Sequence, residues 1–270
     1  MPLLTQASAH SELSVASGLE AVDNGARMVT KKAPKKTKPT RSLDVAEVVL
    51  MLEKRASKKT KEGMARYGIP SDNAFGIPVG VLKQLAKSLG KSHALAAALW
   101  KTGHYEARML ATFVDEAELV TPEQMERWCK DFDNWAICDT ACFALFDRTP
   151  HAFKKVSAWA KRKEEFVKRA AFALLASLTV HAKDATDADF LRCLPLVEKA
   201  AEDPRNFVKK SVNWALRSVG KRSVALNSAA IAVGERLAAR PEATPRWVGK
   251  DALRELRSAP VQRRLSARTA

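Results

Sequence analysis

The chain has 270 residues, 46% of them hydrophobic and 28% charged, which is enough apolar material for a real core and too much for a mostly disordered polypeptide. No run approaches the ~18 apolar residues of a membrane-spanning helix. With 46 Lys and Arg against 30 Asp and Glu, the formal net charge is +16 at an isoelectric point of about 9.9, and that excess points to a polyanionic partner, nucleic acid first.

Residues 1–42 carry seven bases and three acids and mix Ala, Ser, Thr, Gly and Lys without sustained periodicity. They read as a disordered basic arm, either inert or in contact with the partner. Because this arm holds only +4, the folded remainder is basic as well.

From Ser42 onward the chain reads as helix after helix. Starts are signalled by the Asp44/Glu47 capping box, by Thr121-Pro122 with Gln124, and by Thr149-Pro150 and Asp203-Pro204, which predict Pro at the first helical position. Stops are signalled by Gly68, Gly90, Gly103 and Gly220. Apolar residues recur at three and four spacing in VLKQLAKSL, ARMLATFV, AAFALLASL and SAAIAVGERL, and no period-two alternation competes with them. The predicted fold is all-α.

The helices repeat. Phe166-Val167-Lys168-Arg169 and Phe207-Val208-Lys209-Lys210 share a core 41 residues apart, the period of HEAT-type helical pairs, which stack into a curved solenoid. Carrying the register backwards makes Arg108, Asp139, Arg169 and Lys210 equivalent positions on successive repeats, so a basic concave face interrupted by one carboxylate is expected. Solvated faces of any repeat protein carry Lys and Arg, and the aromatics are what separate the two readings. Trp135 and Asp139 stand at i and i+4, while Lys210, Trp214 and Arg217 stand at i, i+4 and i+7. Rings interleaved with charges suit a surface that contacts sugar or base while cations hold phosphate. Trp100, Trp128, Trp159 and Trp247 are read as packing.

Cys129, Cys138, Cys142 and Cys193 show no CxxC pairing, and the five histidines form no metal-ligand pair, so a reducing cytoplasm and no metal are expected.

The stretches DFDNWAICDTAC (131–142), EFVKRAAFALL (165–175) and DPRNFVKKSVNWALRSVGKR (203–222) resemble, in this order, the AlkD-type DNA alkylation repair family, HEAT-like repeat alkylpurine DNA glycosylases. The resemblance covers roughly residues 43–240 and leaves 241–270 as a basic C-terminal extension, either an extra DNA contact or a capping helix. It implies that Asp139 is the catalytic carboxylate, that Trp135 and Trp214 flank the damaged nucleotide with Tyr67 bordering it, and that Arg169 holds the DNA backbone. Lys168, Arg108, Lys210 and Arg217 complete the expected set of backbone contacts. Family members often carry an acid after the motif tryptophan, where this chain has Ala136.

The implied reaction is hydrolysis of the N-glycosidic bond of cationic N3- or N7-alkylated purines in duplex DNA, by a monomer without cofactor. Asp139 would stabilise the oxocarbenium-like sugar or position water. The alternatives are a non-catalytic DNA-binding scaffold and a protein-binding adaptor.

Overall fold

The structure, a computed structural model, describes residues 44–268. The arm expected at 1–42 lies outside them. Among the described residues there are fifteen α-helices and no strand. In chain order they are α1 (Val45–Glu53), α2 (Lys58–Met64), α3 (Val79–Leu89), α4 (His93–Lys101), α5 (Tyr105–Val114), α6 (Pro122–Lys130), α7 (Trp135–Ala144) and α8 (Ala152–Trp159), followed by α9 (Glu165–His181), α10 (Asp187–Leu191), α11 (Leu194–Ala200), α12 (Asn206–Gly220), α13 (Val224–Ala238), α14 (Ala243–Leu256) and α15 (Ala259–Ser266).

Helices α3, α5, α7, α9, α12 and α14 pack each against the next and form one continuous layer. Behind it, α4 packs on α5, α8 on α9, α11 on α12 and α13 on α14. This is the predicted solenoid of helical pairs, and the shared F-V-K segments are neighbours in space, with the Phe166 and Phe207 rings 5.4 Å apart. Helix α14 (Ala243–Leu256) falls in the segment read as an extension and continues the layer, and only α15 lies beyond it.

An aromatic row runs through the core. Trp100 stacks on Trp128 at 4.0 Å, Trp128 meets Phe146, and Phe146 meets the fully buried Trp159. These three tryptophans are packing, as predicted. Trp247 is not: it is 41% exposed.

The predicted helix starts hold at Asp44, where the capping box forms, and at Thr121, whose hydroxyl accepts from the Gln124 amide at 3.2 Å. At the other two the helix begins two residues after the proline. The Thr149 hydroxyl is engaged by the Phe146 carbonyl at 2.8 Å, so α8 starts at Ala152. Asp203 binds the Arg205 side chain, so α12 starts at Asn206.

Gly220 likewise ends no helix from outside. It is the last residue of α12, where a Cβ would meet the Leu256 and Ala230 side chains at 2.7 and 2.9 Å. The α13–α14 crossing is closer still. A Cβ on Gly249 would lie 2.4 Å from the Ala238 nitrogen and 2.5 Å from the Gly234 carbonyl, both backbone atoms that cannot yield without moving a helix. Gly249→Ala should therefore destabilise the fold by about 1–3 kcal/mol, read as a lower denaturation midpoint at unchanged slope. An unaltered midpoint would mean that the crossing is looser than this.

Candidate active site and nucleic-acid face

Helix α7 begins where Asn134, 1% exposed, turns its side-chain oxygen onto the amides of Ala136 and Ile137 at 3.0 and 3.1 Å. This cap fixes the rotational phase of the helix, and hence where its side chains point. Trp135, Asp139 and Phe143 then follow at i, i+4 and i+8 as one stripe, each about 6 Å further along the axis. The adjoining side of α7 packs on α9 through Cys138 and Cys142, whose thiols approach the carbonyls of Phe166 and Ala170 at 3.6 and 3.5 Å. Burial pushes the Cys142 thiol well up, in keeping with packing.

Asp139 is the only acid on α7. Both of its oxygens accept from Arg169 on α9, Oδ1 from Nε at 2.9 Å and Oδ2 from Nη2 at 2.6 Å, and the third guanidinium nitrogen donates to the Phe207 carbonyl at 2.8 Å. The pair is largely shielded, with 18% of the aspartate side chain and 8% of the arginine side chain exposed. Burial raises the Asp139 carboxyl above its usual range, and the Arg169 charge and hydrogen bonds oppose that shift.

The rings stand one turn to either side of this carboxylate. Trp135 packs against Met64, Ile69 and Ala74, and its Nε1 donates to the Tyr67 carbonyl at 2.8 Å. Tyr67 thus lies beside Trp135, with 49% of it exposed. On the far side Trp214, from α12, stacks on Phe143 with ring centres 5.1 Å apart and planes 1° from parallel. His181 meets Phe143 edge-on and is tied to the buried Asp147, which also takes the Ser177 hydroxyl. The structure therefore brings together Trp135, Asp139, Arg169, Trp214 and Tyr67. It adds Phe143 and His181, which sequence reasoning passed over. The phenylalanine could have been found by extending the Trp135–Asp139 spacing one more turn.

The other bases differ from the expected open ladder. Arg108 lies over Trp100 and donates to the Asp131 carbonyl at 3.2 Å. Lys168 pairs with Asp203 at 3.0 Å, where Arg205 and Lys168 together hold that carboxyl well below its usual range. Arg217 pairs with Glu255, which also accepts from Lys221 at 2.5 Å. Arg169 is spent on Asp139. Lys210 alone of the five is exposed and has no partner among the described residues. Four of these five bases thus tie one segment to another, because a charge partly withdrawn from water needs a counter-charge. The register differs at one position as well: Asp139, Arg169 and Lys210 are each the fifth residue of their helix, whereas the fifth residue of α5 is the buried Met109, with Arg108 before it.

Among the described residues no group of three or more His, Cys, Asp or Glu could hold a metal ion, and no helix is long and apolar enough to cross a membrane.

No curated protein sequence matches the chain. Among solved structures it superposes on one described as a new family of proteins related to the HEAT-like repeat DNA glycosylases with affinity for branched DNA structures. The TM-score is 0.68 at 18% identity, over 83% of this chain and 96% of the other. A designed armadillo repeat protein in complex with a (KR)4 peptide also matches, with a TM-score of 0.27 at 12% identity over 84% and 93% of the two chains, too low a score to bear on the fold. The family model described as DNA alkylation repair enzyme matches residues 48–256, a span that takes in every helix of the continuous layer. The chain belongs to the DNA alkylation repair enzyme family.

Proposed function

We propose that the protein is a monofunctional alkylpurine DNA glycosylase, which hydrolyses the N-glycosidic bond of cationic N3- or N7-alkylated purines in duplex DNA. The observation that carries this reading is the stripe on α7: one shielded carboxylate with an aromatic platform a turn to either side.

Cleavage of a nucleoside passes through a sugar with oxocarbenium character, so an anion fixed near C1′ stabilises charge that appears only in the transition state. Asp139 is that anion. Arg169 holds it bidentately, so it is aimed before the substrate arrives. Ordinary glycoside hydrolysis needs a second carboxyl to protonate the leaving group. An alkylated purine already carries a positive charge and departs neutral, so the absence of another acid on α7 is no obstacle. Trp135 and Trp214 offer π faces to the cationic nucleotide, a contact worth about 0.5–2 kcal/mol each. Lys210 supplies an exposed cation for phosphate.

The test is a time course of free 7-methylguanine and 3-methyladenine released from methylated duplex DNA. Release that scales with protein is expected, and tight binding without release would overturn the reading. One observation favours a non-catalytic DNA-binding scaffold instead: both Asp139 oxygens are already engaged by Arg169. The same time course separates the two.

The acid side of the pH profile gives a further prediction. Asp139 must be ionised to stabilise the sugar cation, so release should fall as pH drops through its pKa. Burial sets that pKa above the ordinary aspartate value, and Arg169 restrains it. Arg169→Gln removes the restraint, so the acid limb should move to higher pH. A limb that stays in place or moves down would show that another group controls it.

A further inference from the structure

Trp247 is the most exposed of the six tryptophans, at 41%. It is the fifth residue of α14, the position that Asp139, Arg169 and Lys210 occupy on α7, α9 and α12, and α14 is the next helix of the same layer. Cross-links between α12 and α14 run at a constant offset: Lys209 reaches Trp247, Asn213 reaches Asp251 and Arg217 reaches Glu255. The indole is therefore held in a regular register. The Lys209 ammonium lies 5.0 Å from its ring centre, an attraction that limits the freedom the ring would otherwise lose on binding. Lys210, next in the chain to Lys209, and Lys250, three residues on from Trp247 in α14, are exposed, while the nearby Asp251 is occupied by Asn213 and Arg254.

An exposed indole costs solvation, and a cluster of uncompensated lysines costs mutual repulsion. A polyanion that also offers flat faces or sugar edges relieves both, and that is nucleic acid. We infer that Trp247, with Lys209, Lys210 and Lys250, is a second DNA contact, gripping the duplex away from the damaged nucleotide. This rests on the reading of the Asp139 stripe as the place where the lesion sits. Packed helices lie about 8–10 Å apart, so three steps from α7 to α14 span about 25–30 Å, or about eight base pairs at ~3.4 Å each. The contact is therefore made with one flank only.

The experiment measures binding of the full chain to duplexes with one central 7-methylguanine, comparing wild type with Trp247→Ala and Trp247→Phe. On a duplex extending about a full turn beyond the lesion on both sides, Trp247→Ala should bind about tenfold more weakly. Trp247→Phe should recover most of that loss. The salt dependence should be unchanged in Trp247→Ala and shallower by about one phosphate contact in Lys210→Ala. Cutting one flank back to about four base pairs, well short of the span estimated above, should abolish the difference between wild type and Trp247→Ala; cutting the other should not. Trp247→Ala binding as tightly as wild type on the long duplex would overturn the inference. So would a loss of the same size on every duplex, because a folding defect would act without regard to flank. Wild type that releases no base would sink the glycosylase reading and leave this binding result as it stands.

Discussion

Asp139→Asn is expected to cut release of alkylpurines by at least about a hundredfold while affinity for duplex DNA stays within a few-fold of wild type. The substitution keeps the shape of the side chain and removes its charge, so the ground-state complex loses little and the sugar cation loses its counter-ion. Stability should fall as well, because the amide oxygen accepts only one of the two Arg169 bonds and the shielded guanidinium loses its counter-charge. Single-turnover release, measured beside a melting curve, separates the two effects. Undiminished release by a folded Asn variant would remove Asp139 from the mechanism.

The largest effect on stability is expected at Glu106. This side chain is fully buried on α5, and its two oxygens accept three backbone amides from another segment: Phe75 at 2.8 Å, Gly76 at 2.6 Å and Ile77 at 3.0 Å. Gly76 sits at φ +79°, where a Cβ would strike the Ser57 carbonyl at 2.3 Å, so the loop cannot retreat to find other partners. The clamp matters to the site because the same N-terminal segment supplies the Tyr67 carbonyl that holds the Trp135 indole. Glu106→Gln places an amide N–H against donors and removes a charge that strengthened three bonds. A loss of about 3–5 kcal/mol is expected by chemical denaturation. A variant within about 1 kcal/mol of wild type would show that solvent or local rearrangement satisfies those amides, since a typical hydrogen bond nets that much.

The α7 stripe was readable because its members lie within two helical turns of one another: Trp135 and Asp139 at i and i+4 need only a helix to share a face. The Asp139–Arg169 pair spans 30 residues and was assigned by repeat register to neighbouring rungs, but register places Cα atoms and does not say whether opposite charges will turn toward each other. Partial burial decides that, and it is a property of the packed layer. Four of the five bases expected to be open cations are paired for the same reason.

Trp247 departs from the packing expectation for a different cause. The buried face of α14 runs through Val248, Gly249, Ala252 and Leu256, and it is selected by the glycine crossing with α13, a contact between segments that sequence periodicity cannot see. Even so, the residues three, four and seven after Trp247 are Lys250, Asp251 and Arg254, a polar face that argued for exposure. Phe143 was hidden in the opposite way, because its apolar neighbours made the whole turn look like core.

Under the proposed reading one carboxylate suffices because the leaving base carries its own charge. The most direct test of this claim is single-turnover release by wild type from two duplexes that differ only in the lesion, one with 7-methylguanine and the other with a neutral altered purine such as hypoxanthine. Release of the cationic base with none of the neutral one is expected. Comparable release of both would contradict the claim, because it would require a general acid that the Asp139 stripe does not contain.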